Sequence, residues 1–171
     1  VPDILVNCAG ILQSGKRVLD QPLDEDERLW RINYRGTLLG CQVFGRMMAA
    51  EGRGAILNVG SLASFAPLSL PAYAPGKQAV KALTEILANE LGPQGIRVNA
   101  VAPGLMETEA SASSLGAERH EAIRAMQMLP GHGTPDDIVN LGLFLGSEDA
   151  RFITAEVMHC DAGHPFRAWR Q

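Results

Sequence analysis

Short apolar runs alternating with longer amphipathic stretches restrict the fold of this chain more than any other feature of its sequence. The runs Val1–Asn7, Ala55–Ser61, Ile96–Ala102 and Glu156–Cys160 are β-prone and apolar at successive positions. That pattern predicts strands buried on both faces of a parallel sheet. Between the first two runs, a stretch from Asp24 to Ala50 carries Leu29, Ile32, Leu38, Leu39, Val43, Phe44 and Met47 at helical spacings of three and four. A second helix is predicted from Tyr73 to Leu91, with Val80, Leu83 and Leu87 on one face and Gly92-Pro93 as its stop. A third runs from Asp136 to Gly146, with Thr134 as its N-cap. Strands and helices in this order stack as right-handed βαβ units. The expectation is one α/β domain spanning the 171 residues.

Charge and cysteine usage narrow the function classes. Fifteen basic residues against nineteen acidic ones leave a formal charge of −4, and no basic run marks a nucleic-acid or anionic-membrane surface. No stretch reaches the ~18 apolar residues of a membrane span, and the N-terminus does not read as a secretory leader. Three widely spaced cysteines, Cys8, Cys41 and Cys160, suggest reduced thiols and a cytoplasmic protein. His120, His132, His159 and His164 have no metal-ligand spacing, so no metal is expected.

Ligands of open parallel sheets bind beyond the carboxyl ends of the strands, and there the sequence places small or polar residues. Asn7-Cys8-Ala9-Gly10 follows the first run, Ser61 ends the second, and Pro103-Gly104 closes the third. Each alone is ordinary turn material. Tyr73 and Lys77 share one face at the start of the second helix. A nearby ammonium and the helix dipole favour a phenolate, which would bring the tyrosine toward acid/base work near neutral pH. An ordinary buried tyrosine beside a solvated lysine fits the pair as well. A small-residue region from Ser111 to Gly116 looks like a loop or lid.

With these residues in place, the chain resembles the short-chain dehydrogenase/reductase family. The matching segments are DILVNCAG (3–10), Asn33 in WRINYRGTLLG, ILNVGS, YAPGK, GIRVNAVAPGLMET and the closing stretch from TPDDIVNLGLFLG to MHCDAG. The resemblance implies a Rossmann-like sheet with flanking helices and an NAD or NADP cofactor. It also implies hydride transfer between that cofactor and a small-molecule carbonyl or alcohol. Tyr73 would be the proton donor or acceptor. Lys77 would tune it and hold the nicotinamide ribose, while Ser61 would orient the substrate oxygen. Asn33 would hold a water in a proton relay. Asn7, Ala9 and Gly10 would line the adenosine side, and Pro103, Gly104, Met106 and Thr108 the nicotinamide end. Leu62, Phe65, Leu105, Met126, Met128 and Leu129 would wall the substrate. Homodimers or homotetramers are expected through the two long helices.

Two departures stand against the family pattern. Ser61 precedes Tyr73 by twelve positions, one fewer than is usual there. The chain also opens at what resembles the family's fourth strand, so the expectation is a C-terminal half without the TGxxxGxG turn that cradles the pyrophosphate. Weak cofactor binding by the chain, and exposure of its first strand at a sheet edge, would follow. The alternative is a non-catalytic relative acting as a subunit or interaction module.

Overall fold

The computed structural model describes residues 1–65, 68–109, 111 and 116–164. Strands β1 (Ile4–Asn7), β2 (Gly54–Val59), β3 (Ile96–Pro103) and β4 (Val157–Cys160) form one parallel sheet in chain order. The register runs Val6 to Leu57, Leu57 to Asn99, and Val101 to Met158. The helices are α1 (Leu23–Leu29), α2 (Gly36–Glu51), α3 (Tyr73–Leu91), α4 (Ala117–Ala125) and α5 (Pro135–Gly146). None among the described residues is long and apolar enough to cross a membrane.

Successive residues of β2 serve opposite faces. Ile56 packs with Cys41, Met48, Ala88 and Val98 beneath α2 and α3, whereas Leu57 packs with Val101 and Leu145 beneath α5. The result is the three-layer α/β arrangement that the alternation predicts. The bounds of α3 coincide with the predicted helix, and α5 is capped as predicted by Thr134, whose N–H and hydroxyl both donate to the Asp137 carboxylate. The strands shift by no more than a few residues at their ends.

Two expectations need correction. The stretch from Asp24 to Ala50 is not one regular helix, because Trp30–Arg35 forms a π-helical turn between α1 and α2. A π turn adds a residue to its turn and rotates everything after it by about 100°. Leu39, Val43, Phe44 and Met47 therefore face solvent, while Thr37, Cys41, Gly45 and Met48 face the sheet. Next, β1 is not buried on both faces: it lies at the edge of the described sheet with Ile4 and Val6 exposed, as the expectation of an exposed first strand has it. Helix α4 was unforeseen, since its nine residues AERHEAIRA carry little apolar periodicity. Of the expected Ser111–Gly116 loop, residues 112–115 lie outside the described residues.

Candidate active site

Helix α3 begins at Tyr73, and the donors of its first turn are all accounted for. The N–H groups of Ala72 and Tyr73 donate to Oε1 of Gln13 at 2.9 and 3.0 Å. Ala74 donates to the Leu70 carbonyl, and Pro75 has no N–H to satisfy. Gln13 is buried, and its own amide donates to the Lys16 carbonyl and to Gln21. Sequence reasoning missed this residue. The one available hint was negative: Ala72 at the N-cap has no side-chain oxygen, so the helix needed an acceptor from elsewhere.

Ser61 ends the loop leaving β2, and its Oγ accepts the Ala63 N–H at 3.1 Å. Despite the shortened spacing, Ser61 favours the ionised form of the Tyr73 phenol. Ser64, three residues on, is buried with its hydroxyl unpartnered. Lys77 lies one turn beyond Tyr73, 4% exposed, and its Nζ donates to the Val59 carbonyl at 2.7 Å. That nitrogen is 5.8 Å from the centre of the Tyr73 ring.

The electrostatics reverse one expectation. Burial raises the Tyr73 phenol above its ordinary value, and Ser61 draws it part of the way back. Burial lowers the Lys77 ammonium to about 8, with the Cys8 thiol pulling weakly the other way. The phenol is therefore not depressed by its lysine neighbour as it stands. One N–H of the ammonium goes to the Val59 carbonyl, and both groups have lost water.

Asn33 sits on the π turn, 1% exposed, and clamps the loop after β1 at both ends of one residue. Its Oδ1 accepts the Ile11 N–H at 2.8 Å and its Nδ2 donates to the Ile11 carbonyl at 3.0 Å. Gly10 is wedged between the two polar groups: a Cβ there would lie 3.1 Å from Asn33 Oδ1 and 3.7 Å from Lys77 Nζ. Ser61, Tyr73, Lys77, Asn33 and Gly10 thus gather at one end of the sheet, with Ala9 exposed beside them.

Asn7 does not present its side chain to a ligand. Its Nδ2 donates to Asn58 Oδ1 at 2.9 Å and to Cys41 Sγ at 3.3 Å, and Asn58 donates onward to Thr84 at 3.0 Å. This polar ladder ties β1 to β2 and α3 through the core. Asn58 and Thr84 are wholly buried, so an amide turned outward from Asn7 would strand Asn58. What Asn7 can offer a ligand is its backbone.

Beyond β3, Gly104 donates to the Cys160 carbonyl and leaves no room for a Cβ, which would fall 2.7 Å from Asp161. The Pro103-Gly104 turn is pressed against β4 by packing. Met106 pairs with Gly133, and Ser111 knots the segment by donating to the Met106 carbonyl at 2.7 Å and exchanging bonds with Thr108. His120 of α4 bonds through Nε2 to the Ser111 carbonyl at 3.1 Å. A cavity of about 210 Å³ opens here, lined by Leu105, Met106, Leu129, Cys160, Asp161 and Ala162 among others. Of the expected substrate walls, Leu105 and Leu129 line it. Leu62 is buried, Phe65 meets the His159 ring at a tilt of 52° with ring centres 4.2 Å apart, and Met126 and Met128 are exposed. Among the described residues no cluster could hold a metal ion.

Residues 2–164 match the family model described as enoyl-(acyl carrier protein) reductase. The chain belongs to the short-chain dehydrogenase/reductase family. The short-chain dehydrogenase/reductase eriH of Hericium erinaceus is 35% identical over 94% of this chain and 64% of its own length. The 3-oxoacyl-acyl-carrier-protein reductase of Aquifex aeolicus is 37% identical over 94% and 64%. The solved structure of ElxO with NADP bound superposes with a TM-score of 0.89 at 30% identity, over 95% of this chain and 67% of that one. The chain thus spans a little under two thirds of the length of the first of these short-chain dehydrogenase/reductase relatives.

Proposed function

We propose that the protein carrying this chain is an NAD- or NADP-dependent oxidoreductase that interconverts a small-molecule carbonyl and a secondary alcohol. One observation carries the reading: a desolvated phenol, Tyr73, whose anion Ser61 favours, has a buried ammonium, Lys77, one helical turn behind it. The cofactor supplies the hydride. The residues present fit such a group. Lys77 spends one N–H on Val59 and has two left for a ribose, and the small exposed residues Ala9 and Gly10 let a ligand approach both Lys77 and Asn33. Pro103, Gly104, Met106 and Thr108 would hold its nicotinamide end, the last two on the Ser111 knot.

In reduction, Ser61 and Tyr73 hold the carbonyl oxygen, and Tyr73 delivers its phenolic proton as negative charge develops there. A phenol held above its ordinary value stays protonated at neutral pH, the state a proton donor needs. In oxidation the same oxygen takes the proton back, and Lys77 is then the neighbouring cation that makes the phenolate affordable. Asn33 keeps the Gly10–Ile11 backbone against Lys77 throughout.

Oligomerisation belongs to the same reading. Leu39, Val43 and Met47 form an exposed apolar stripe on α2, and Ile86 is exposed on α3, so these faces suit a second copy in a homodimer or homotetramer. Light scattering on the natural full-length protein tests this, with a monomer as the contrary result. The activity test is carbonyl-dependent oxidation of NADPH or NADH by that protein. Acetoacetyl thioester and ketose probes are chosen to span acyl and sugar carbonyls. Absence of turnover with every probe under saturating cofactor, from protein shown to be folded, would overturn the reading.

A further inference from the structure

We propose that Gln13 is a positioning residue for Tyr73, holding the first turn of α3 where Ser61 and Lys77 can act on its phenol; the proposal rests on the oxidoreductase reading above. The first residue of a helix is where the helix frays, because its N–H has no partner within the helix. Tyr73 occupies that place, and the chain around it offers no cap of its own. The acceptor comes from sixty positions away, from a buried side chain on the loop after β1. One oxygen serves two consecutive N–H groups, so the direction of the entering chain at Ala72 and Tyr73 is fixed together with the bond.

Gln13 is itself held on its other end. Its Nε2 donates to the Lys16 carbonyl at 3.2 Å and to Gln21 at 3.0 Å, and Gln21 donates to the Glu25 carboxylate at 2.9 Å. Glu25 also receives the N–H and hydroxyl of Ser14, both at 2.7 Å. The loop is therefore braced from α1, and Gln13 is the strut between that brace and α3. Three residues within a stretch of four then touch three members of the candidate catalytic set. Gly10 lies against Lys77 and Asn33, Ile11 is clamped by Asn33, and Gln13 seats Tyr73. The distances among these groups are set by one short piece of backbone. Catalytic geometry tolerates errors of about 0.5 Å, and a misplacement near 1 Å can cost about a hundredfold.

Two substitutions separate positioning from mere stability. Gln13→Met keeps length and volume and removes both the acceptor and the donor. Gln13→Glu keeps the acceptor for Ala72 and Tyr73 and loses the donor toward Lys16. In the natural full-length protein, residue-resolved amide exchange at Tyr73 is expected to quicken at least ~10-fold in Gln13→Met. It should stay near the original rate in Gln13→Glu, while amides from Lys81 to Ala88 are unchanged in both. With NADPH and whichever acetoacetyl or ketose probe turns over, kcat is expected to fall ~10-fold or more in Gln13→Met. The KM for NADPH should stay within about twofold, and Gln13→Glu should restore most of kcat. Unchanged exchange at Tyr73 in Gln13→Met would overturn the cap and leave the oxidoreductase reading standing. A fall in kcat that glutamate does not rescue would overturn the positioning role. A folded natural protein without turnover would overturn the catalytic reading and, with it, the catalytic meaning of the cap.

Discussion

The two sides of the candidate site are held together in different ways. Around Tyr73 the bonds join residues far apart in the chain: Gln13 to Tyr73 across sixty positions, Asn33 to Ile11 across twenty-two, Lys77 to Val59 across eighteen. Around Thr108 the described bonds of Ser111 are local, to Thr108 and Met106 three and five positions back and to His120 nine positions on. Among the described residues, longer-range contacts also tie that segment down: Gly104 donates to Cys160, Met106 pairs with Gly133, Glu107 donates to Gly133, and Met128 and Leu129 donate to Ala162. Long-range bonds are lost only when the domain opens, whereas local ones can break alone at a smaller cost. The groups proposed to move the proton are therefore fixed by the whole fold. Of the groups proposed to meet the nicotinamide end, Pro103 and Gly104 are tied to β4. Thr108 sits on a piece of chain that can loosen more easily, a common division between rigid scaffold and adaptable loop.

The sharpest way to break this comparison is to remove the phenolic oxygen. Tyr73→Phe is expected to cut kcat about a thousandfold, general acid/base catalysis being worth ~10²–10⁴. Thermal stability should hardly change, because the ring stays and the cap from Gln13 binds backbone. Near-normal turnover in a kinetic assay of the full-length variant would remove Tyr73 from the chemistry.

Next in size is the cost of burying Lys77. Its ammonium is lowered to about 8 in the folded protein against an ordinary 10.5. Below pH 8 folded and unfolded chains both hold the proton, so burial of the charge costs stability at a constant rate. Between about 8 and 10.5 the folded state has released the proton while the unfolded state keeps it, so stability climbs with pH across that window. Lys77→Met removes the buried charge at the expense of the Val59 bond and is expected to raise the unfolding free energy by ~2 kcal/mol at pH 7. It should abolish the climb and also abolish turnover. Urea unfolding at pH 7 and pH 10 checks both signs, and a Met variant less stable than the original at pH 7 would contradict the desolvation argument.

The sequence shows the rigid side of the site better than the reasons for its rigidity. The helix Tyr73–Leu91 was legible to the residue because an apolar period and a Gly-Pro stop are local signals. The pairing of Tyr73 with Lys77 followed from the same period. The face of α2 was misread because the π turn at Trp30–Arg35 leaves no mark in composition, and one added residue turns a correct period onto the wrong side. Asn7 was read as a ligand-facing residue for a comparable reason: its partners Cys41 and Asn58 lie 34 and 51 positions away, and no spacing rule reaches them. Gln13 was invisible for the same cause. Local chemistry announces which residues react, and tertiary hydrogen bonds decide which residues hold them.

The smallest expected effect tests the looser side. Ser111 is buried, and its hydroxyl donates its one proton to the Met106 carbonyl at 2.7 Å, with the Thr108 carbonyl 3.0 Å away, and accepts the Thr108 N–H at 3.1 Å. Ser111→Ala removes these bonds and leaves the pairing of Met106 with Gly133 untouched. One lost network of this kind is worth about 1 kcal/mol, or roughly fivefold in binding. Because these bonds are local, the loss should appear as a KM for NADPH raised about fivefold, with kcat within about twofold and the melting temperature unmoved. The opposite pattern, a fall in kcat or in melting temperature comparable to that of a buried core change, would mean that the Thr108 side is as firmly built into the fold as the Tyr73 side. The distinction between a fixed proton-transfer half and an adaptable binding half would then fail at the residue on which the binding half most depends.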